Sequence, residues 1–291
     1  MAQIINTPLS VYESKSQRID RANLAESHEV ATWTAAGDNL EDQSDNRLPL
    51  AVWRRQMLSQ PADIVHFYGP PPHWAASLRI RSVASAAFPR PRLPWKKANA
   101  PTALLSPLGD HRIPEAVEQK FFDLEETGAH RHTPPPFRLG TFGPWRRDVR
   151  RMSEQTLARL SRFRDDCQWD ILDHVPTPVE LASYDAWIDP TSSEGDLDGL
   201  IAEALVIGCV VVACRNAINT QRLANAEAGF LVPPGDANEM THVIASALFR
   251  EETTSRRQRA RTLIDGYRPE VRGAALQNLY EGLLHGSTDE L

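Results

Sequence analysis

A chain of 291 residues, 41% of them hydrophobic and 24% charged, is long enough for two α/β domains with separate cores and has the composition of a soluble globular protein. Thirty-eight acidic against 32 basic residues leave a net charge of −6, which excludes a general nucleic-acid binder. No apolar run approaches the ~20 residues of a membrane helix, the first residues lack a signal peptide's basic start, and Cys167, Cys209 and Cys214 are scattered, so a cytoplasmic protein with no transmembrane segment is expected.

In chain order, a short strand is expected at Ile4 and Ile5, a helix over residues 10–25, a strand over 28–33 and a helix over 48–58. Asp63-Ile64-Val65-His66-Phe67-Tyr68 has the pattern of a buried strand and ends at Gly69-Pro70. A helix is expected over 73–87. Fourteen of the 22 prolines fall between Pro61 and Pro144, which reads as a region of irregular loops. The triple proline at 134–136 is the expected linker, giving domains 1–136 and 137–291.

The second half alternates more cleanly. Strands are expected at 137–142, 169–172, 186–188, 210–213 and 229–232, with helices at 153–164, 178–183 and 200–207 between them. Leu157, Leu160 and Phe163 form the expected apolar stripe of the first of these helices. Asp236, with Glu239 three residues on, has the form of a helix N-cap opening a helix to Phe249. Arginine is dense at Arg146, Arg147, Arg150 and Arg151, directly after a strand. A second cluster, Arg250 to Arg261, reads as a solvated helix face.

No G-x-G-x-x-G follows a strand and no phosphate-binding P-loop is present, which disfavours dinucleotide oxidoreductases and P-loop NTPases. No G-x-S-x-G elbow marks a hydrolase. His130 and His132 stand in a polar loop before the triple proline, and Asp196-Leu197-Asp198 is a D-x-D in an unsuitable context, so no metal site is expected.

The passage from Ser193-Glu194-Gly195-Asp196-Leu197-Asp198-Gly199-Leu200 through Glu203-Ala204 to Gly208 and Val210-Val211-Val212-Ala213 resembles the signature of group 1 glycosyltransferases. That family reads acidic-Gly after a strand, then a helix carrying Leu-Glu-Ala, then Gly and an apolar strand. Gly229-Phe230-Leu231-Val232-Pro233-Pro234-Gly235-Asp236 is similar to its next element, and residues 267–284 resemble its closing helix. Two departures stand out. Glu194 and Glu203 are separated by eight residues where the family has seven, and the family's Gly-rich first loop is missing. The alternative match of Asp198-Gly199-Leu200 to acidic-Gly-Leu leaves three residues missing before Glu203.

The resemblance implies an α/β, GT-B-like fold: two Rossmann-like domains facing across a cleft, with the last helix returning to the first. It implies transfer of a sugar from a nucleotide-diphosphate sugar to a hydroxyl acceptor with retention, needing neither metal nor cofactor. The alternative is a non-catalytic binding subunit with a degraded donor site. Carboxylates accept hydroxyl hydrogens well, and arginines and free N–H groups suit a diphosphate. By resemblance, Glu203 would hold the ribose and Glu194, beside Gly195, the transferred sugar. The backbone around Asp198, Gly199 and Leu200, with Arg146, Arg147 and Arg150, would meet the diphosphate. Asp63-Ile64-Val65-His66 resembles a strand end facing the cleft, making His66 the candidate catalytic residue; otherwise it is a satisfied core histidine. The donor sugar, the acceptor and the oligomeric state have no signal in the sequence.

Overall fold

The protein is described from a computed structural model, which covers residues 3–8, 19–20, 23, 29–32, 34–35, 47–48, 64–68, 81–85, 103–105, 115–126, 136–143, 147–191, 200–247 and 251–285. The chain divides into two compact units. Unit 1 takes in Met1–Ala116 and returns for Pro269–Leu291, and unit 2 is Val117–Arg268.

Unit 1 holds a five-stranded sheet of β1 (Gln3–Pro8), β2 (Glu29–Thr32), β5 (Ile64–Tyr68), β6 (Arg81–Ser85) and β7 (Ala103–Leu105). The strands lie in the order β2-β1-β5-β6-β7 and every pairing is parallel. A separate small ladder joins β3 (Thr34–Ala35) to β4 (Arg47–Leu48). Two expectations are corrected here. Residues 81–85, read as part of a helix over 73–87, form a strand in register with β5 from Ile64↔Arg81 to Tyr68↔Ser85. Helix propensity is a weak prior, and pairing with a parallel neighbour overrides it. Leu48, read as a helix start, lies in β4; residues 49–58 and 73–80 fall outside the described ones. Ile19, Asp20 and Asn23, within the helix expected over 10–25, are helical.

Unit 2 begins at Val117, whose N–H donates to the Tyr267 carbonyl at 2.9 Å, so the two ends of the unit are tied together. The structure's division thus precedes the triple proline and takes α1 (Gln119–Glu126) into the second unit. Next come β8 (Phe137–Phe142), α2 (Arg147–Leu160), β9 (Cys167–Leu172), α3 (Pro178–Leu181), β10 (Ala186–Asp189) and α4 (Ile201–Ile207). They are followed by β11 (Val210–Cys214), α5 (Ala217–Arg222), β12 (Phe230–Val232), α6 (Ala237–Ala247) and α7 (Glu251–Leu263). The sheet is parallel, in the order β12-β11-β10-β8-β9.

Both faces of this sheet are covered, as period-two side chains and βα crossovers require. Leu139, Ile188, Val210 and Val212 point to one side, with Met152 and Leu160 of α2 and Met240 and Ile244 of α6. Trp187, Val211 and Ala213 point to the other, with Phe122 of α1, the apolar residues of α4 and Ala260 of α7. Asp236 caps α6 as expected, its Oδ1 accepting from the N–H groups of Asn238 and Glu239 at 3.0 and 2.9 Å.

Helix α2 starts and ends earlier than the sequence suggests. Its buried face is Met152, Ser153, Thr156 and Leu160, and Phe163, expected in the apolar stripe, lies past the helix end and is 77% exposed. Arg164 closes that turn by pairing with Asp166 through two hydrogen bonds. The second arginine cluster is not simply a solvated face. Arg256 lies over the Phe230 ring, 4.4 Å from its centroid, and donates to the Gly229 carbonyl, while Arg259 pairs with Glu227.

The last helix, α8 (Pro269–His285), belongs to unit 1. Its buried positions Pro269, Arg272, Gly273, Leu276, Leu279, Tyr280 and Leu283 recur at three- and four-residue steps on one face. Asn23 donates to the Pro269 carbonyl at 2.6 Å. Gly273 is required by proximity, since a Cβ there would come within 2.9 Å of the Asn23 side chain. No described helix is long and apolar enough to cross a membrane.

Candidate functional site

In chain order the sheet of unit 2 places its second strand outside the first and its third, fourth and fifth on the other side. Such a parallel sheet has a topological switch point between its first and third strands, here β8 and β10, and ligands of doubly wound sheets bind outside the carboxyl ends there. The chain leaves β8 for α2 on one side of the sheet and leaves β10 for α4 on the other. The switch point is visible in the ladder itself. The β8–β10 register runs only through Ala186↔Leu139 and Trp187↔Gly140. Beyond it the buried Thr141 hydroxyl donates to the Ile188 carbonyl.

At the carboxyl end of β8, Gly143 has φ 102°, which turns the chain out of the sheet in a conformation few side-chain-bearing residues tolerate. Arg147 and Arg150 follow in the first turn of α2 and are exposed. Arg150 pairs with Glu154 at 2.9 Å, a contact between side chains 67% and 58% exposed that leaves the guanidinium accessible. Arg146 lies outside the described residues.

At the carboxyl end of β10, Asp189 is 5% exposed. Its Oδ1 accepts from the Thr191 N–H and its Oδ2 from the Asn219 amide, both at 3.0 Å. Burial raises its pKa above the usual carboxylate value, and the bonds from Thr191 and Asn219 and the Arg222 charge oppose that. The same Asn219 nitrogen donates to the Cys214 carbonyl at 3.0 Å, where β11 ends. Sequence reasoning did not single out Asp189 or Asn219. The available signal was a charged residue closing an apolar strand, just before Pro190.

Glu194, Gly195, Asp198 and Gly199 lie outside the described residues. Leu200 is described and has φ 54°, a left-handed conformation costing a leucine roughly 1–2 kcal/mol, as the cap of α4. Its carbonyl accepts the Ala204 N–H at 2.9 Å. All seven residues of α4 are buried, Glu203 among them at 1% exposure. It is therefore not the exposed helix glutamate that its residue type makes commonplace. The topology brings the described candidates Leu200 and Glu203 to the crossover after β10, and Arg147 and Arg150 to the one after β8, the two strands of the switch point.

His66 belongs to the other unit. It is 0% exposed in β5, and its Nδ1 shares a 2.6 Å hydrogen bond with the Tyr280 hydroxyl. Burial, aided by the Arg272 charge, lowers its pKa to about 3. This is the core-histidine placement that its sequence context also allowed.

No protein-family profile matches the chain, and no curated protein matches it in sequence. Solved structures do match. A sucrose-phosphate synthase from Thermosynechococcus elongatus aligns with a TM-score of 0.66 at 13% identity, covering 98% of this chain and 100% of that one. A glycosyltransferase from Rickettsia africae aligns with a TM-score of 0.71 at 14% identity, over 97% and 98% of the two chains. The Anabaena protein HepE, solved in complex with UDP and glucose, aligns with a TM-score of 0.63 at 13% identity, over 97% and 100%. The fold is thus α/β and GT-B-like.

Proposed function

We propose that the chain is a glycosyltransferase that moves a sugar from a nucleotide-diphosphate sugar to a hydroxyl acceptor with retention of anomeric configuration. The observation that carries this reading is Glu203, a carboxylate kept on a wholly buried helix beside the switch point of unit 2. A carboxylate at the crossover after a switch-point strand is the residue type that accepts hydroxyl hydrogens, and ligands of doubly wound sheets bind at that edge. The signature from Glu194 to Asp236 and the glycosyltransferase names of similarly folded proteins support the same reading.

On this proposal Glu203 accepts the ribose hydroxyls and Glu194, beside Gly195, those of the transferred sugar. Arg146, Arg147 and Arg150, with the backbone of Asp198, Gly199 and Leu200, meet the diphosphate. Catalysis rests on stabilising the departing diphosphate's charge and on positioning, with no metal required.

The test is a thermal-shift and calorimetric screen of UDP, GDP, ADP and dTDP and their sugars. A ligand at 100 times its Kd stabilises the fold by ~2.7 kcal/mol. Absence of binding by all four diphosphates at millimolar concentration overturns the reading. For a binding nucleotide sugar, NMR of the product's anomeric proton decides retention, and activity lost to chelator and restored by manganese would overturn metal independence.

A further inference from the structure

Strand β10 reads Ala186-Trp187-Ile188-Asp189, buried throughout, and ends in a carboxylate on the same face as Trp187. We infer that Asp189 and Asn219 are a positioning pair that sets the carboxyl edge of β10 and β11 for the nucleoside diphosphate of the proposed donor. The inference rests on the reading of unit 2 as a nucleotide-sugar domain.

The bonding is specific to these two residues. The Asn219 amide nitrogen has two hydrogens, and both are used, one on Asp189 Oδ2 and one on the Cys214 carbonyl, each at 3.0 Å. A single side chain thus links the end of β10 to the end of β11. Its own backbone is fixed as well, because the Asn219 N–H donates to Asn216 Oδ1 at 2.7 Å in the cap of α5. Asp189 completes the brace by holding the Thr191 N–H, the first turn of chain beyond the strand. The Thr191 N–H and the Asn219 amide both donate to the carboxylate.

An apolar residue would fill this place without the desolvation that a carboxylate incurs, and buried polar pairs are often no more stable than apolar replacements. What the pair supplies instead is fixed geometry: two strand ends and one helix start held by bonds of defined direction. The β8 side of the switch point is braced in the same manner by Thr141 on the Ile188 carbonyl. The crevice edge is therefore set by side-chain hydrogen bonds in addition to the backbone ladder, and a diphosphate bound there meets a preformed surface.

The experiment uses the full chain and measures melting temperature and affinity for whichever of UDP, GDP, ADP and dTDP the wild type binds most tightly. Asp189→Leu and Asn219→Leu are expected to fold, with diphosphate affinity reduced at least about tenfold. Asp189→Asn sets two amide nitrogens against each other and is expected to weaken binding. Adding Asn219→Asp to it restores an N–H to carboxylate contact with residue 189 but sets a carboxylate against the Cys214 carbonyl, so the link to β11 stays broken and affinity is not expected to recover. Wild-type failure to bind any of the four overturns the functional reading and the inference with it. Wild-type binding with unchanged affinity in folded Asp189→Leu and Asn219→Leu overturns the inference alone. If neither leucine variant folds, unchanged affinity in folded Asp189→Asn overturns it.

Discussion

The Nδ1 of His66 and the hydroxyl of Tyr280 lie 2.6 Å apart although 214 positions separate them, and their rings meet edge-on at 83°. The contact joins the third strand of the unit 1 sheet to the last helix of the chain. Close by in sequence on that helix, Arg272 makes a buried two-point ion pair with Asp20. The helix is therefore held to unit 1 by directional bonds as well as by its apolar face, and these bonds fix its register.

The histidine makes stability depend on pH. Its folded pKa, about 3, lies below the unfolded value of 6.5, with burial the main cause and the Arg272 charge the second. The unfolded chain takes up this proton near pH 6.5 and the folded chain only near pH 3. The contribution is thus complete above pH 6.5 and is lost progressively on acidification towards pH 3, at no more than about 1.4 kcal/mol per pH unit. Urea melts at pH 7.5, 5.5 and 4.5 are expected to show a shallower acid loss in His66→Gln than in the wild type. Parallel pH profiles would refute the assignment.

The Asp20–Arg272 pair predicts an asymmetry between single and double substitution. Asp20→Leu leaves a buried guanidinium uncompensated and is expected to cost ~3–5 kcal/mol, as is Arg272→Met with the charge reversed. The double variant removes both charges and is expected to lie well above the sum of the two losses, measured by denaturant unfolding. Simple additivity would mean that the pair is not coupled.

The legibility of the sequence differed between the two units for physical reasons. In unit 2 the strands are short apolar runs such as Val210-Val211-Val212, the cap at Asp236 has its own chemistry, and these elements were found close to their places. The short helices α1 and α5 were not read at all, and α2 was set too late because Phe163 completes an apolar spacing although the chain has already turned at Ser161. In unit 1, residues 81–85 carry serine and alanine, and their strand state comes from pairing with β5, information no local window contains. Glu203 could be singled out from the sequence as an acidic residue in a patterned helix. Asn219 could not, because its contacts with Asp189 and Cys214 depend on strand ends brought together by the sheet.

The arginines after β8 are expected to separate binding from stability. Arg147 and Arg150 are exposed, and the Arg150–Glu154 pair is of a kind worth little to folding. Replacing Arg146, Arg147 and Arg150 together by glutamine is expected to leave the melting temperature almost unchanged. Diphosphate affinity should fall, and its dependence on salt concentration should flatten. Calorimetry at two ionic strengths reads both; unchanged affinity and slope would make these residues surface decoration.

Glu203 gives the sharpest division between an enzyme and a binding relic. Its carboxylate sits on a helix whose other residues are all apolar, so Glu203→Gln, which keeps the shape and removes the charge, is the first variant to make. If the carboxylate accepts ribose hydroxyls, each charge-assisted bond is worth ~1.5–3 kcal/mol, and affinity for the free diphosphate and for the nucleotide sugar should fall together by at least about tenfold. Glu194→Ala is expected to behave differently, weakening the nucleotide sugar while sparing the free diphosphate, because it would touch only the transferred sugar. Calorimetry with both ligands on both variants separates the four outcomes, and melting curves establish that the fold is intact. If both substitutions are silent in a folded protein that still binds diphosphate, the carboxylates have no part in donor recognition. The eight-residue spacing between them would then mark a site that has kept the nucleotide and lost the sugar.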